Sequence, residues 1–139
     1  MYLAYDLKNN RNEVAVKTES LRMPYSQLLK EIQIAKVLEG GVGFPRLLNQ
    51  GIALENQFVY MVSQLLGPTL DDLWRLCDRK FSVKTTLMLF YQILERLEHV
   101  HSLSYCHRDV KPVNLMMGIG EHSNTLFLVD YGISRSVLD

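Results

Sequence analysis

The sequence predicts an α+β fold, a small and mostly antiparallel sheet carrying one helix, hinged to a helical part. Two observations predict it. Before Gly67-Pro68, short apolar runs alternate with polar turns, and a single helical stretch interrupts them. After Gly67-Pro68, apolar residues recur at spacings of three and four, the period of a helix with one packed face.

Residues 2–7 read as a strand, residues 8–12 (KNNRN) as a polar turn and residues 13–17 as a second strand, a hairpin by turn composition. Pro24 and Ser26 open a helix that runs to Glu39, where Gly40 and Gly41 stop it. Serine caps a helix start by accepting from an orphan amide, and glycine accepts the left-handed backbone that ends one. Residues 47–52 and 58–63 make two more strands around the turn at Glu55-Asn56. Beyond the hinge, Thr69 caps a short helix containing Leu70, Leu73 and Trp74. Ser82 caps a long one in which Val83, Leu87, Phe90, Leu94, Leu97 and His101 share a face, the signature of packing on a core, along which Leu87, Phe90, Leu94 and Leu97 are also expected to leave some apolar surface exposed. A loop over 105–114, a strand over 115–117, a turn and a strand over 125–129 complete the reading.

Composition bounds function less sharply. The chain has 139 residues, 47% of them hydrophobic, enough for one domain that buries roughly two thirds of its unfolded surface. Lys plus Arg equals Asp plus Glu at 15 each, so no global charge draws the chain to nucleic acid or to an anionic membrane. Cys77 and Cys106 form no C-x-x-C pair, which suits reduced thiols in cytoplasm or nucleus. No apolar run approaches the ~20 residues that span a bilayer, and no basic-then-apolar signal opens the chain.

Three motifs stand in a fixed order: Val14-Ala15-Val16-Lys17 on a strand, His107-Arg108-Asp109-Val110-Lys111-Pro112-Val113-Asn114 after the long helix, and Asp130-Tyr131-Gly132 after the last strand. Singly they read as an exposed strand end, a charged loop and a turn. In this order they match the strand lysine, H-R-D loop and D-F-G set of protein kinases. The connecting text narrows the match. Leu38-Glu39-Gly40-Gly41-Val42-Gly43-Phe44-Pro45, Leu65-Leu66-Gly67-Pro68-Thr69-Leu70, Lys80-Phe81-Ser82-Val83-Lys84-Thr85 and Met117-Gly118-Ile119-Gly120 resemble casein kinase I along essentially the whole chain.

This resemblance implies a serine/threonine protein kinase that moves the γ-phosphate of ATP, with Mg²⁺, to protein substrates. Phosphoryl transfer needs positioning and charge neutralisation more than covalent help. By resemblance, Lys17 holds the α- and β-phosphates and Glu31 pairs with it. Asp109 accepts the substrate hydroxyl's proton, Lys111 steadies the transferring group, and Asn114 and Asp130 hold the metal. Gln64, Leu65 and Leu66 present backbone groups to adenine, with Ala15 and Met116 as apolar ceiling and floor and Ser63 at the rear. Lys17→Met is then expected to lower activity and leave the fold intact.

The histidines carry packing readings. His99 and His101 point to different sides of a helix, His107 is a buried packing residue beside the third motif, and His122 lies in a polar turn. The resemblance further implies a partial kinase domain: residues 1–66 as an N-terminal lobe without the glycine-rich phosphate loop, and 67–139 as the first part of a C-terminal lobe through D-Y-G. Tyr131 stands where the family has Phe, a swap that requires a hydroxyl partner. Weak nucleotide binding and little turnover follow as expectations for this chain alone. The alternative function is a kinase-like interaction module without catalysis.

Overall fold

In the computed structural model, which describes residues 1–9, 11–22 and 25–138, the first half is a four-stranded antiparallel sheet. Its strands are β1 (Tyr2–Asp6), β2 (Asn12–Ser20), β3 (Leu47–Ala53) and β4 (Phe58–Gln64), in the order β1-β2-β4-β3. Asn10 of the polar turn and Pro24, read as opening the helix, lie outside the described residues.

Helix α1 (Gln27–Val37) packs against β2, β3 and β4 of this sheet. Ser26 caps it by accepting from the Leu29 amide, and Glu19 on β2 accepts from the Leu28 amide at 3.1 Å. Leu38 closes the helix, and Gly40 follows in a left-handed conformation, φ +86°. The helix serves two cores. Leu28 and Ile32 pack with Val59 and Met61 of β4, whereas Ile34 and Leu38 belong to a second cluster with Phe44, Val100, Leu126, Leu128 and Tyr131. One rigid rod therefore joins the sheet to the helical half.

The hinge Gly67-Pro68 is stitched to β6 (Leu115–Met117) by Gly67 N–H to Met117 O at 2.8 Å and Met117 N–H to Pro68 O at 3.0 Å. Helix α2 (Leu70–Leu76) starts with a reciprocal cap, Thr69 accepting from the Asp72 amide while Asp72 accepts from the Thr69 amide. That arrangement satisfies two orphan donors at once. Helix α3 (Val83–Ser102) follows, with Ser82 accepting from the Thr85 amide. Strand β5 (Tyr105–Cys106) pairs with β8 (Arg135–Ser136), and β6 pairs with β7 (Leu126–Leu128). Among the described residues, no helix is long and apolar enough to cross a membrane.

The fold corrects the packing expectation for α3 and bears out the expected exposure of Leu87, Phe90 and Leu94. The face of α3 built from Val83, Leu87, Phe90 and Leu94 is exposed, Leu87 at 62% and Phe90 at 54%, rather than packed. The core takes Leu89, Ile93, Leu97, Val100 and Leu103. Leu97 belongs to the expected face and does reach the core; Leu89, Ile93, Val100 and Leu103 lie on a series shifted by one residue, or about 100° around the helix. Exposed aromatic and aliphatic side chains in one stripe bind apolar dyes. The folded chain is expected to enhance the fluorescence of an anilinonaphthalene dye. The pair Leu87→Glu and Phe90→Lys should lower that signal while moving the urea unfolding free energy by less than about 0.5 kcal/mol.

Candidate active site

The cleft between the halves begins with strand periodicity. Side chains two apart on a strand share a face, so Ala15 and Lys17 on β2 point the same way. Their cross-strand partners on β4, Ser63 and Met61, point there with them. All four line a cavity of about 310 Å³. Met116 and Asn114 approach it from the other half, and Gln64, Leu65 and Leu66 run along its edge. Among the described residues, neither Leu65 nor Leu66 gives its backbone N–H or C=O to another backbone group. Both can therefore meet a planar polar edge.

At the inner end, Lys17 Nζ lies 2.6 Å from Glu31 Oε2 and 3.5 Å from Asp130 Oδ1. Glu31 is only 4% exposed, so it is no solvated helix carboxylate. Burial opposes the Lys17 charge, but the hydrogen bond and charge of Glu31, joined by Asp130, outweigh it and raise the ammonium's pKa. Burial also raises the Glu31 carboxyl above its ordinary value, against the pull of Lys17. The 2.6 Å contact fixes the outcome as an ion pair, ammonium donating to carboxylate.

The second motif forms its own network. Asp109 Oδ2 accepts from Lys111 Nζ at 2.7 Å and from Asn114 Nδ2 at 2.9 Å, and Asn114 Nδ2 also meets the Asp109 carbonyl at 2.9 Å. The Lys111 hydrogen bond, then that of Asn114, holds the Asp109 carboxyl below its ordinary pKa. Because both partners of Asn114 are acceptors, its amide nitrogen must face Asp109, which leaves its oxygen free for a cation. A turn over Pro112–Asn114 presents this side chain, and the Asn114 carbonyl accepts from Val129 N–H at 3.0 Å, one residue before Asp130.

His107 braces both motifs. Its Nε2 donates to the Val129 carbonyl at 3.1 Å and its Nδ1 accepts the Asp109 amide at 3.2 Å, the pattern of a neutral ring. Its ring packs edge-on against Tyr131 with centroids 5.4 Å apart. The Tyr131 hydroxyl finds its partner in the Leu128 carbonyl. Arg108 and Asp130 both hold left-handed backbones, φ +68° and +67°. Such strain in non-glycine residues clusters at functional sites.

The chain matches the family model described as Protein kinase domain over residues 2–139. It belongs to the protein kinase family. Members of this family generally use ATP and Mg²⁺, and the donor set of this kinase suits that pair. No group of three or more His, Cys, Asp or Glu clusters into a metal cage among the described residues. Asn114 and Asp130 offer two oxygen ligands, and magnesium typically takes one or two from protein and the rest from phosphate and water.

All the cofactor and metal residues expected from sequence line this one cleft, and Asp109 and Lys111 join it through Asn114. Among the lining residues that sequence reading missed are Met1, Leu47, Val113 and Val129. Val113 and Val129 adjoin motif residues and were findable from that adjacency; Met1 and Leu47 carry no local signal.

Two outcomes follow. Lys17→Met leaves the Glu31 carboxylate buried without a cation, so a cost in stability joins the expected loss of activity. The variant should lose about 3 kcal/mol of urea stability at neutral pH, and Lys17→Met with Glu31→Leu should regain most of it. The second outcome concerns pH. Burial depresses the His107 pKa below 6.5 more strongly than Val129, Asp109 and Asp130 raise it. The unfolded chain therefore takes up the proton first, and stability present above pH 6.5 is lost as pH falls through the folded value. Urea midpoints should decline over that range in the wild type and flatten in His107→Gln.

Proposed function

We propose that this kinase is a serine/threonine protein kinase of casein kinase I type, transferring the γ-phosphate of ATP to protein substrates. The observation that carries the reading is Lys17 held between Glu31 at 2.6 Å and Asp130 at 3.5 Å, beside the Asp109–Lys111–Asn114 network. A lysine so fixed meets phosphate oxygens without having to search for them. The casein kinase I assignment rests on the four connecting segments quoted above, and with it comes the preference for serine and threonine.

In this reading Asn114 and Asp130 hold Mg²⁺, which when bound neutralises phosphate charge. Ala15 and Met116 sandwich the adenine, and the edge at Gln64 to Leu66 meets its polar rim. Ser63, small and at the rear, leaves depth behind the base. Asp109 receives the substrate hydroxyl. Its carboxyl is held low by Lys111 and Asn114, so it is ionised at rest and a weak base. It orients the hydroxyl first and takes the proton only as the oxygen bonds to phosphorus. Lys111 supplies positive charge at that step. Both cysteines are free thiols, in keeping with work in cytoplasm or nucleus.

The test is transfer of labelled phosphate from ATP to casein, with magnesium, by a version of the chain extended to supply a glycine-rich loop and an activation segment, and by its Asp109→Asn and Asp130→Asn variants. Asp109→Asn should lower kcat by about 10²–10⁴-fold with little change in nucleotide affinity. Asp130→Asn should shift the magnesium requirement upward. An extended wild type that folds, binds nucleotide and transfers nothing would replace this reading with that of an interaction module.

A further inference from the structure

Arg96 is a buried charge that the nucleotide cleft does not use. It is 5% exposed, and its one carboxylate contact among the described residues, Glu95 at 3.3 Å, is a half-exposed neighbour on the same helix. An apolar side chain of similar volume would fill this place without the cost of desolvating a guanidinium. The donors show what the charge does. Arg96 Nε donates to the Leu126 carbonyl at 3.1 Å, and another guanidinium nitrogen donates to Gln92 Oε1 at 3.3 Å. Gln92 Oε1 accepts the Leu126 amide at 2.8 Å, and its Nε2 donates to the Asn124 carbonyl at 3.2 Å. One turn apart on α3, the two side chains clasp both backbone groups of Leu126.

The loop after α1 closes the clasp from the other side. Gly43 has φ +81°, and a Cβ there would stand 1.9 Å from Arg96 Nε and 2.6 Å from the Leu126 carbonyl. The Gly43 carbonyl accepts from Leu128 N–H at 2.9 Å. The loop leads back to α1 and Glu31, while β7 leads on to Asp130.

We propose that Arg96, with Gln92 and Gly43, is a positioning device that fixes β7 against the loop after α1 and so holds Asp130 within reach of Lys17 and Glu31. The proposal rests on the nucleotide reading of the cleft. It goes beyond that reading by placing control of the metal-side geometry in a residue that touches neither nucleotide nor metal.

The test compares wild type with Arg96→Met, which keeps the stem and removes the donors, and Arg96→Lys, which restores one cationic donor. Urea titration establishes folding. Amide exchange at Leu128, measured without nucleotide, reports the clasp. Calorimetry gives Kd for Mg·ATP and for adenosine, which lacks the phosphates that meet the metal side. In Arg96→Met the Leu128 amide should exchange about tenfold faster or more. Mg·ATP should bind about 3- to 30-fold more weakly while adenosine affinity changes by less than about twofold. Arg96→Lys should fall between the two. A merely structural residue would weaken both ligands alike; that result, or unchanged Leu128 exchange, overturns the proposal. Should Arg96→Met not fold, Gln92→Leu and Arg96→Lys carry the same comparison. A wild type that binds neither ligand refutes the nucleotide reading and the positioning role with it; faster Leu128 exchange in Arg96→Met would then show a clasp that serves structure alone.

Discussion

A carboxylate as deeply buried as Glu31 needs a cation within hydrogen-bonding distance, and meeting that need organises the molecule. Lys17 reaches Glu31 only because β2 turns its odd-numbered side chains toward α1, and α1 lies where it does because Leu28 and Ile32 seat on β4. The same helix inserts Ile34 and Leu38 among residues of the helical half. Placing one ion pair thus commits the sheet, the helix and the second core to a single arrangement, and Asp130 arrives at its edge as a consequence.

The loops that bring Asp109 and Asp130 forward carry strain and are heavily tied. Left-handed backbones at Arg108 and Asp130 cost on the order of 1–3 kcal/mol each. The compensations lie nearby: Arg108 Nε donates to the Ile133 carbonyl at 2.7 Å, the buried Ser134 hydroxyl donates to the His107 carbonyl, and His107 links Asp109 to Val129. The β5–β8 pairing closes the loop ends together. The strain persists because these bonds over-determine the backbone.

Much of this was legible in the sequence, for local reasons. Ser26, Thr69 and Ser82 cap helices because a hydroxyl before an apolar run has few better uses, and all three caps are made. The ion pair of Lys17 and Glu31 came from resemblance, since an isolated glutamate on a helix says nothing of burial. The helix α3 shows where pattern reading fails. Two series with alternating steps of four and three run along it, and the buried one, Leu89, Ile93, Arg96, Val100 and Leu103, is interrupted by an arginine. A charge counted as a vote for solvent turns the helix to the wrong side. Met1 in the cleft lining was invisible because its contact is set wholly by tertiary placement.

Tyr131 in place of phenylalanine has an energetic consequence. Its ring sits between His107 and Phe44, and its hydroxyl is anchored on the Leu128 carbonyl. Burial, with the nearby Glu31 and Asp130 carboxylates, raises the phenol's pKa well above 10, so it stays a neutral donor. For the ring to swing outward, that donor must let go of its carbonyl inside an apolar core before water can replace either partner. Leaving this site thus breaks a buried hydrogen bond that a phenylalanine would not have to break.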